Sequence, residues 1–362
     1  MENFRTELRR QGHIVAWFST RASSANTPLA DHLCYGTTTL FRGLLQLANP
    51  AAAHALRRVI EDFRPDVVHV AMFLTQLSSA ILPVLADVPA LYHVQWYRPI
   101  CLTGTRVLPG GQACQQRAGI ACLRSGCLPL HDWVPLVAGL QLFRHWSSSF
   151  RMIVANSGHM QRRLAQWGCR AASVIPCAVE ARPQRPPLAG PPLAAFAGRL
   201  IPEKGAHVLI EAFRGFPDAR LLIAGDGPSR AALQRMAGPN VEFTGHLSRA
   251  AMEVRFAQAW VQVVPSTWEE PFGLTAAEAQ MRGTAVIASA AGGLPEVVMD
   301  GQTGLLVPPA DPGALARALN RLFTDRPLAE AMGGAGRESA QARFSMESFA
   351  TQFLEAYESI MG

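Results

Sequence analysis

Short apolar runs alternate with stretches of helical periodicity along almost the whole chain, and this alternation constrains the fold most. In the first half Asp66-Val67-Val68-His69-Val70, Ala90-Leu91-Tyr92-His93-Val94, Met152-Ile153-Val154-Ala155 and Ala172 to Ile175 read as strands. In the second half Ala194 to Ala197, Arg220 to Ala224, Val241 to Phe243, Ala285 to Ala288 and Gly304 to Val307 do the same. Helical patterns lie between them, over Leu40 to Phe63, Leu74 to Leu85, Leu130 to Trp146, Met160 to Trp167, Ala206 to Phe213, Arg230 to Met236 and Asp311 to Phe323. A strand that returns parallel to its neighbour needs a crossover, so the pattern predicts an α/β protein of parallel sheets flanked by helices. A chain of 362 residues suits two such domains better than one. The composition shifts at the proline-rich stretch 180–192, which reads as a linker between domains at 1–179 and 193–345. A last helix over 346–362 places Phe349, Phe353, Tyr357 and Ile360 on one face to be buried. The beginning departs from this order. Asn3 to Gln11 reads as a helix and His13 to Phe18 as a strand, but no strand precedes that helix.

The balance of residues narrows the function. A hydrophobic content of 49% with 17% charged residues describes a packed globular protein. The net charge of +6 comes from arginines scattered without a basic run or aromatic interleaving, which argues against nucleic acid. A diphosphate ligand or an anionic membrane surface fits it. No apolar run is long enough to span a bilayer and no signal peptide is visible. The expectation is a cytoplasmic protein with reduced cysteines, and contact with the inner face of a membrane stays open.

The chemistry concentrates in Val264 to Pro295, which reads as strand end, loop, helix, strand and glycine-rich loop. Glu270 and Glu278 flank the start of that helix, whose unpaired N–H groups make a place for an anion. Carboxylates are poor partners for a phosphate but good acceptors for the hydroxyls of a sugar or ribose attached to it. The stretch therefore suggests a sugar nucleotide. Lys204, the single lysine of the chain, follows Arg199 by five residues in a loop after a strand. Two cations at the carboxyl end of a parallel strand can hold a diphosphate, although a solvated loop lysine explains the spacing equally well. Gly225-x-Gly227 lacks the third glycine of a dinucleotide fingerprint and reads as a tight turn. His93, at a strand end, is by itself more simply a hydrogen-bonded structural residue, and His69 more so. Cys101, Cys114, Cys122 and Cys127 could hold a structural zinc, but 12, 7 and 4 intervening residues make no knuckle, so a reduced loop is favoured. Trp133 to Arg151 could lie on a membrane surface, but a helix packed on its own sheet is the plainer expectation.

The motifs AGRLIPEKG (197–205), LLIAGDGP (221–228), VEFTGHL (241–247), PSTWEEPFGLTAAEA (265–279) and AGGLPEVVMDGQTGLLVPPAD (291–311) together resemble the retaining glycosyltransferases of family 4. The first half resembles them more loosely, through PDVVHV (65–70), the strand ending at His93 and VANS (154–157). The resemblance implies the GT-B fold, two Rossmann-like doubly wound domains facing a cleft, with the last helix crossing back to the first domain. It implies transfer of a sugar from a nucleoside-diphosphate sugar to a carbohydrate or lipid-linked acceptor, with retention. Arg199 and Lys204 would then neutralise the donor diphosphate, and Glu278 would accept from the ribose hydroxyls. Glu270 would bind the transferring sugar, and the backbone N–H groups of Phe272, Gly273, Leu274 and Thr275 would meet sugar and phosphate. The backbone around His246 and Leu247 would meet the base. The resemblance also raises His93 from a structural residue to a catalytic one that reaches the transferring sugar. Positive charge from Arg199, Lys204 and the helix N-terminus would serve without a metal or other cofactor.

The family opens with a strand and a glycine-rich turn that this chain lacks, so the first domain is expected without its first, central strand. A start further upstream is the favoured account. Two alternatives follow: a catalytically impaired protein that binds a sugar nucleotide, and, less favoured, a GT-B epimerase acting on the sugar nucleotide.

Overall fold

The apolar runs do pair as parallel strands, and they do so within two separate units. The computed structural model describes residues 1–22, 29–37, 42–169 and 173–362. One unit comprises 1–109, 114–176 and 349–362, and the other 177–348 with 110–113.

The first unit runs α1 (Glu2–Arg10), β1 (Phe18–Thr20), β2 (His32–Cys34), α2 (Arg42–Leu47), α3 (Pro50–Phe63), β3 (Val68–Ala71), β4 (Ala90–Val94), α4 (Ile120–Arg124), α5 (Leu130–Trp146), β5 (Met152–Ala155), α6 (Gly158–Gln166) and β6 (Ser173–Val174). Its strands fall into two sheets, the pair β1-β2 and the four-stranded order β3-β4-β5-β6. Among the described residues no strand joins them, so β3 has a ladder partner on its β4 side alone.

Local chemistry explains where the elements depart from the expected ones. The helix expected over Leu40 to Phe63 is two helices, and its expected start at Leu40 lies outside the described residues. Pro50 opens α3 as a first-turn residue and Asn49 caps it, its side chain accepting from the Ala52 N–H at 3.0 Å. The helix expected over Leu74 to Leu85 is two 3-10 segments, Phe73–Thr75 and Ser79–Leu85. Pro83 within the second has no N–H to continue an α-helical ladder. The strand expected over His13 to Phe18 begins at Phe18. The Trp17 N–H just before it donates to the Asp31 carboxylate at 2.7 Å instead. The expected strand start at Ala172 lies outside the described residues, and β6 runs Ser173–Val174. The stretch between Cys101 and Cys127 is irregular apart from α4. Arg106 is buried within it and donates to the carbonyls of Cys114 and Gln116.

One face of β3 and β4 carries His69, Leu91 and His93 in register. It is covered from within the unit by Phe4 of α1 and by Phe349, Phe353 and Tyr357 of the last helix, α14 (Met346–Met361). The His69 ring lies 4.7 Å from that of Phe353 and 5.5 Å from that of His93, and its Nδ1 is 2.6 Å from the Tyr357 hydroxyl. Burial pushes His69 down to about 3 and, with His69 beside it, holds His93 well below the ordinary imidazole range. Both are therefore neutral in the native state, whereas an unfolded histidine takes a proton near pH ~6.5. The unfolded chain binds more protons below that value, so stability is complete above it and falls as pH drops toward 3. His69→Phe is expected to flatten the acid limb of melting temperature against pH in this window. A limb as steep as that of the wild type would refute the assignment.

The second unit runs β7 (Leu193–Ala197), α7 (Ala206–Phe213), β8 (Arg220–Ala224), α8 (Arg230–Met236), β9 (Val241–Gly245), α9 (Arg249–Phe256), β10 (Val261–Val264), α10 (Leu274–Arg282), β11 (Ala285–Ser289), α11 (Leu294–Val297), β12 (Gly304–Val307), α12 (Pro312–Thr324) and α13 (Arg326–Phe344). Its six strands are all parallel in the order β12-β11-β10-β7-β8-β9, with winding that reverses between β7 and β10. Apolar side chains of α7 and α12 (Leu209, Phe213, Leu315, Leu319) cover one face of the sheet. On the other face Ala276, Ala277 and Ala279, all fully buried, let α10 lie close against Val264 and Val286. The proline-rich stretch is anchored rather than free. Arg185 Nε donates to Gly283 O at 2.7 Å and its Nη2 pairs with Glu330 at 2.9 Å, while the other Glu330 oxygen accepts from the Leu188 N–H at 2.6 Å.

Candidate active site

In an open parallel sheet the loops leaving adjacent strands in opposite directions part at the point of reversal, and a ligand can enter there. Here the point lies between the carboxyl ends of β7 and β10, and two loops meet at it. The loop after β7 carries Arg199, Lys204 and Gly205, and the loop after β10 carries Pro265 to Gly273.

Backbone packing fixes the two loops against each other. Gly205 sits at φ +71°, where an added Cβ would stand 2.7 Å from the Pro265 carbonyl carbon and closer still to its oxygen. The Thr267 N–H donates to Glu203 O at 2.9 Å. From the other side, a Cβ at Gly292 (φ +65°) would stand 2.7 Å from the carbonyl carbon of Glu269 and closer to the Glu270 backbone. The Gly293 N–H donates to Glu270 O at 2.7 Å. Only glycine allows backbones to approach so closely in that conformation.

The result is a precisely held carboxylate, Glu270, only 6% exposed. Its Oε1 accepts from Lys204 Nζ at 2.6 Å and from the Ser266 hydroxyl at 2.7 Å. The ammonium also stands 5.3 Å from the centre of the Trp268 ring. A buried carboxylate needs such a partner, and the one lysine of the chain supplies it. Lys204 is therefore ion-paired and only 22% exposed, not a solvated loop lysine.

Next to this pair α10 begins. Gly273 at its N-cap offers no side chain, so the first N–H groups of α10 have no side-chain cap. Phe272 is buried, Leu274 exposed and Thr275 half-buried. Glu278 follows on the helix, its side chain 31% exposed, with Oε1 held at 3.3 Å by Arg182 Nη2. Arg199 is exposed at the start of the β7 loop. His246 is exposed and Leu247 half-buried after β9, where the Gly225 N–H ties the turn by donating to Gly245 O at 2.8 Å. The structure thus joins Lys204, Glu270 and the start of α10 directly, and sets Arg199, His246 and Leu247 on loops at the same edge of the sheet.

His93 is different. It belongs to the first unit, and its ring is 0% exposed, 4.9 Å from that of Phe353 and 5.9 Å from that of Phe349. Its Nδ1 is 3.5 Å from the Gln95 amide and its Nε2 has no hydrogen-bond partner. The placement is that of a core residue. Among the described residues no three or more His, Cys, Asp or Glu side chains gather as a metal site, the four loop cysteines included. No described helix is long and apolar enough to cross a membrane.

Sequence reasoning passed over Ser266, Trp268, Arg182, Glu253 and Arg282. Ser266 and Trp268 lie inside PSTWEE and could have been taken with it. Arg182 had only its position as a charged residue in a proline-rich segment, and nothing in the local sequence singles out Glu253 or Arg282.

Two α/β units of parallel strands in one chain, the second of them doubly wound, are the two-domain arrangement of the GT-B class of fold. The first half matches the profile described as glycosyltransferase family 4 over residues 1–182, and the second that of glycosyl transferases group 1 over residues 179–339. The chain belongs to glycosyltransferase family 4. It is 35% identical over 187 residues to an alpha-maltose-1-phosphate synthase of Mycolicibacterium smegmatis, covering 47% of this chain and 48% of that protein. It is 39% identical over 193 residues to a D-inositol 3-phosphate glycosyltransferase of Corynebacterium urealyticum, covering 47% and 45%. The match thus spans about half the length of these curated relatives. Among solved structures it resembles a sucrose-phosphate synthase of Thermosynechococcus elongatus, with TM-score 0.77, 24% identity and coverage of 99% of this chain and 92% of that one. It also resembles Anabaena HepE in complex with UDP-glucose, with TM-score 0.71, 20% identity and coverage of 99% and 95%. At these identities the likeness is one of fold.

Proposed function

We propose that this chain transfers a sugar from a nucleoside-diphosphate sugar to a carbohydrate or lipid-linked acceptor with retention of anomeric configuration. The observation that carries the reading is the Lys204–Glu270–Ser266 cluster at the switch point, beside the uncapped start of α10. As the glycosidic bond breaks, negative charge grows on the departing diphosphate. Lys204, Arg199 and the N–H groups of Phe272 to Thr275 are the chain's means of stabilising it, and being held in advance they need little reorganisation. Glu270 would accept from hydroxyls of the transferring sugar, and Glu278 from those of the ribose. The donor brings the leaving group and the chain the charge, so the reading calls for no resident cofactor. The donor complexes of related folds make UDP and UDP-glucose the first compounds to test. Melting with UDP, GDP, ADP and their common sugars should show stabilisation by one base, about 2.7 kcal/mol at a hundredfold excess over Kd. A cooperative melt that none of them moves would overturn the reading.

The buried His93 favours a second reading, in which the donor binds but is not turned over. An imidazole enclosed by Phe349, Phe353 and His69 offers no face to a sugar. His93→Ala separates the two. In a competent transferase in which His93 acts on the sugar, kcat should fall about 100-fold or more at unchanged donor affinity. In a binder with a purely structural His93 the variant lowers the melting temperature and leaves nucleotide affinity alone, and the wild type shows no transfer.

A further inference from the structure

Glu278 does not stand alone on α10. Arg182, from the proline-rich stretch, reaches it with Nη2 at 3.3 Å and reaches Glu253 of α9 with Nη1 at 2.7 Å. Glu253 is bound a second time, by Arg282 at the end of α10, whose Nε lies 3.0 Å and Nη2 3.4 Å from its two oxygens. Both guanidinium side chains are almost wholly buried, at 7% and 2% exposure.

Buried guanidiniums need carboxylates, and the count of charges is informative. Arg282 alone would neutralise Glu253. Arg182 therefore brings a second positive charge, which Glu278 balances, and two arginines with two carboxylates leave the group neutral. The planar fork lets one guanidinium serve both carboxylates at once. Its grip on Glu278 is through Oε1, and the Glu278 side chain stays 31% exposed.

Arg182 is itself fixed. Its carbonyl accepts from Arg337 Nη1 at 3.0 Å, and the same nitrogen holds Met281 O near the end of α10. The network also returns to the start of that helix. Arg282 Nη1 donates to Gln262 Oε1 at 3.2 Å, and Gln262 Nε2 donates to Thr275 O at 2.9 Å. The first and last turns of α10 are thus joined through buried side chains beneath its exposed carboxylate.

We propose that Arg182 is a positioning residue for the nucleotide site. It holds the Glu278 carboxylate oriented to accept the ribose hydroxyls of a nucleoside diphosphate. The proposal rests on the reading of Glu278 given above, and a double-mutant cycle keeps the two apart. UDP and GDP are titrated calorimetrically into the full chain and into Glu278→Gln, Arg182→Met, Arg182→Lys and the Arg182→Met/Glu278→Gln pair. Glu278→Gln should weaken the preferred nucleotide by about tenfold or more, as for loss of a charged hydrogen-bond acceptor. Arg182→Met should weaken it to a similar extent in the wild type but add little in the Glu278→Gln background, because it acts through that carboxylate. Arg182→Lys should fall between, since one ammonium cannot fork to two carboxylates. If neither nucleotide binds the wild type, or Glu278→Gln binds as well as the wild type, the reading of Glu278 fails and this proposal with it. If Glu278→Gln weakens binding while a cooperatively melting Arg182→Met does not, the positioning role alone is wrong. Should Arg182→Met not fold, Arg182→Lys decides, and affinity equal to the wild type overturns the proposal.

Discussion

For the transfer proposed above, Lys204→Ala is expected to slow turnover by about 10²–10³-fold and to destabilise the second unit at the same time, and the two losses can be separated. The stability loss arises because Glu270, buried, would keep only the Ser266 hydroxyl at 2.7 Å for a partner. Breaking a buried ion pair from one side costs about 3–5 kcal/mol. The loss of activity has another origin, the removal of a held positive charge from the departing diphosphate, worth about 3–4 kcal/mol or a rate factor of some 10²–10³. Lys204→Ala with Glu270→Gln removes both charges, so the urea midpoint should recover most of its loss while turnover does not recover. Full activity in a folded Lys204→Ala chain would remove the lysine from the mechanism.

Gly292→Ala should be among the most damaging small changes in the same unit. The new methyl would stand inside van der Waals distance of the Glu269 and Glu270 backbone, at a φ of +65° that alanine resists. The neighbours are main chain rather than the ends of flexible side chains, so relief requires the β10 loop to move. A cost of at least about 3 kcal/mol is expected, the clash adding to about 1 kcal/mol for the left-handed conformation. Gly301→Ala provides the control: its φ is +73° but nothing stands within 4 Å of the added carbon. Denaturation midpoints that coincide for the two variants would show that the contact is not tight. Gly205→Ala, pressed against Pro265, should behave as Gly292→Ala does.

Most of the second unit was legible because its code is local. Four-residue apolar runs such as Leu221 to Ala224, set off by Arg220, read as buried strands, and Gly273 and Gly283 mark the ends of α10. Glu270 and Glu278 were found because they flank a helix start within one stretch. The long-range partners of those carboxylates were not, because nothing local links Arg182 to Glu278 or Lys204 to Glu270. They meet only when β7 and β10 lie side by side. The first unit was read less well for the same reason. Helical periodicity across Leu74 to Leu85 does not show that Pro83 and the cap at Ser78 give 3-10 turns. Nor does the strand ending at His93 show which face its ring takes, since that depends on rings brought by residues 349–357.

The membership of the last helix has a consequence for how the protein is made. Residues 177–348 are contiguous but for a four-residue excursion at 110–113, so the second unit can close while the chain is still being synthesised. The first unit cannot, although its strands leave the ribosome earlier. The cover over His69 and His93 comes from Phe349, Phe353 and Tyr357, which are translated after the whole of the second unit. Until they arrive, that face of β3 and β4 is apolar surface without its lid, a state in which a nascent chain is vulnerable to aggregation and depends on chaperones. The order of synthesis is thus opposite to the order in which the two units can be completed.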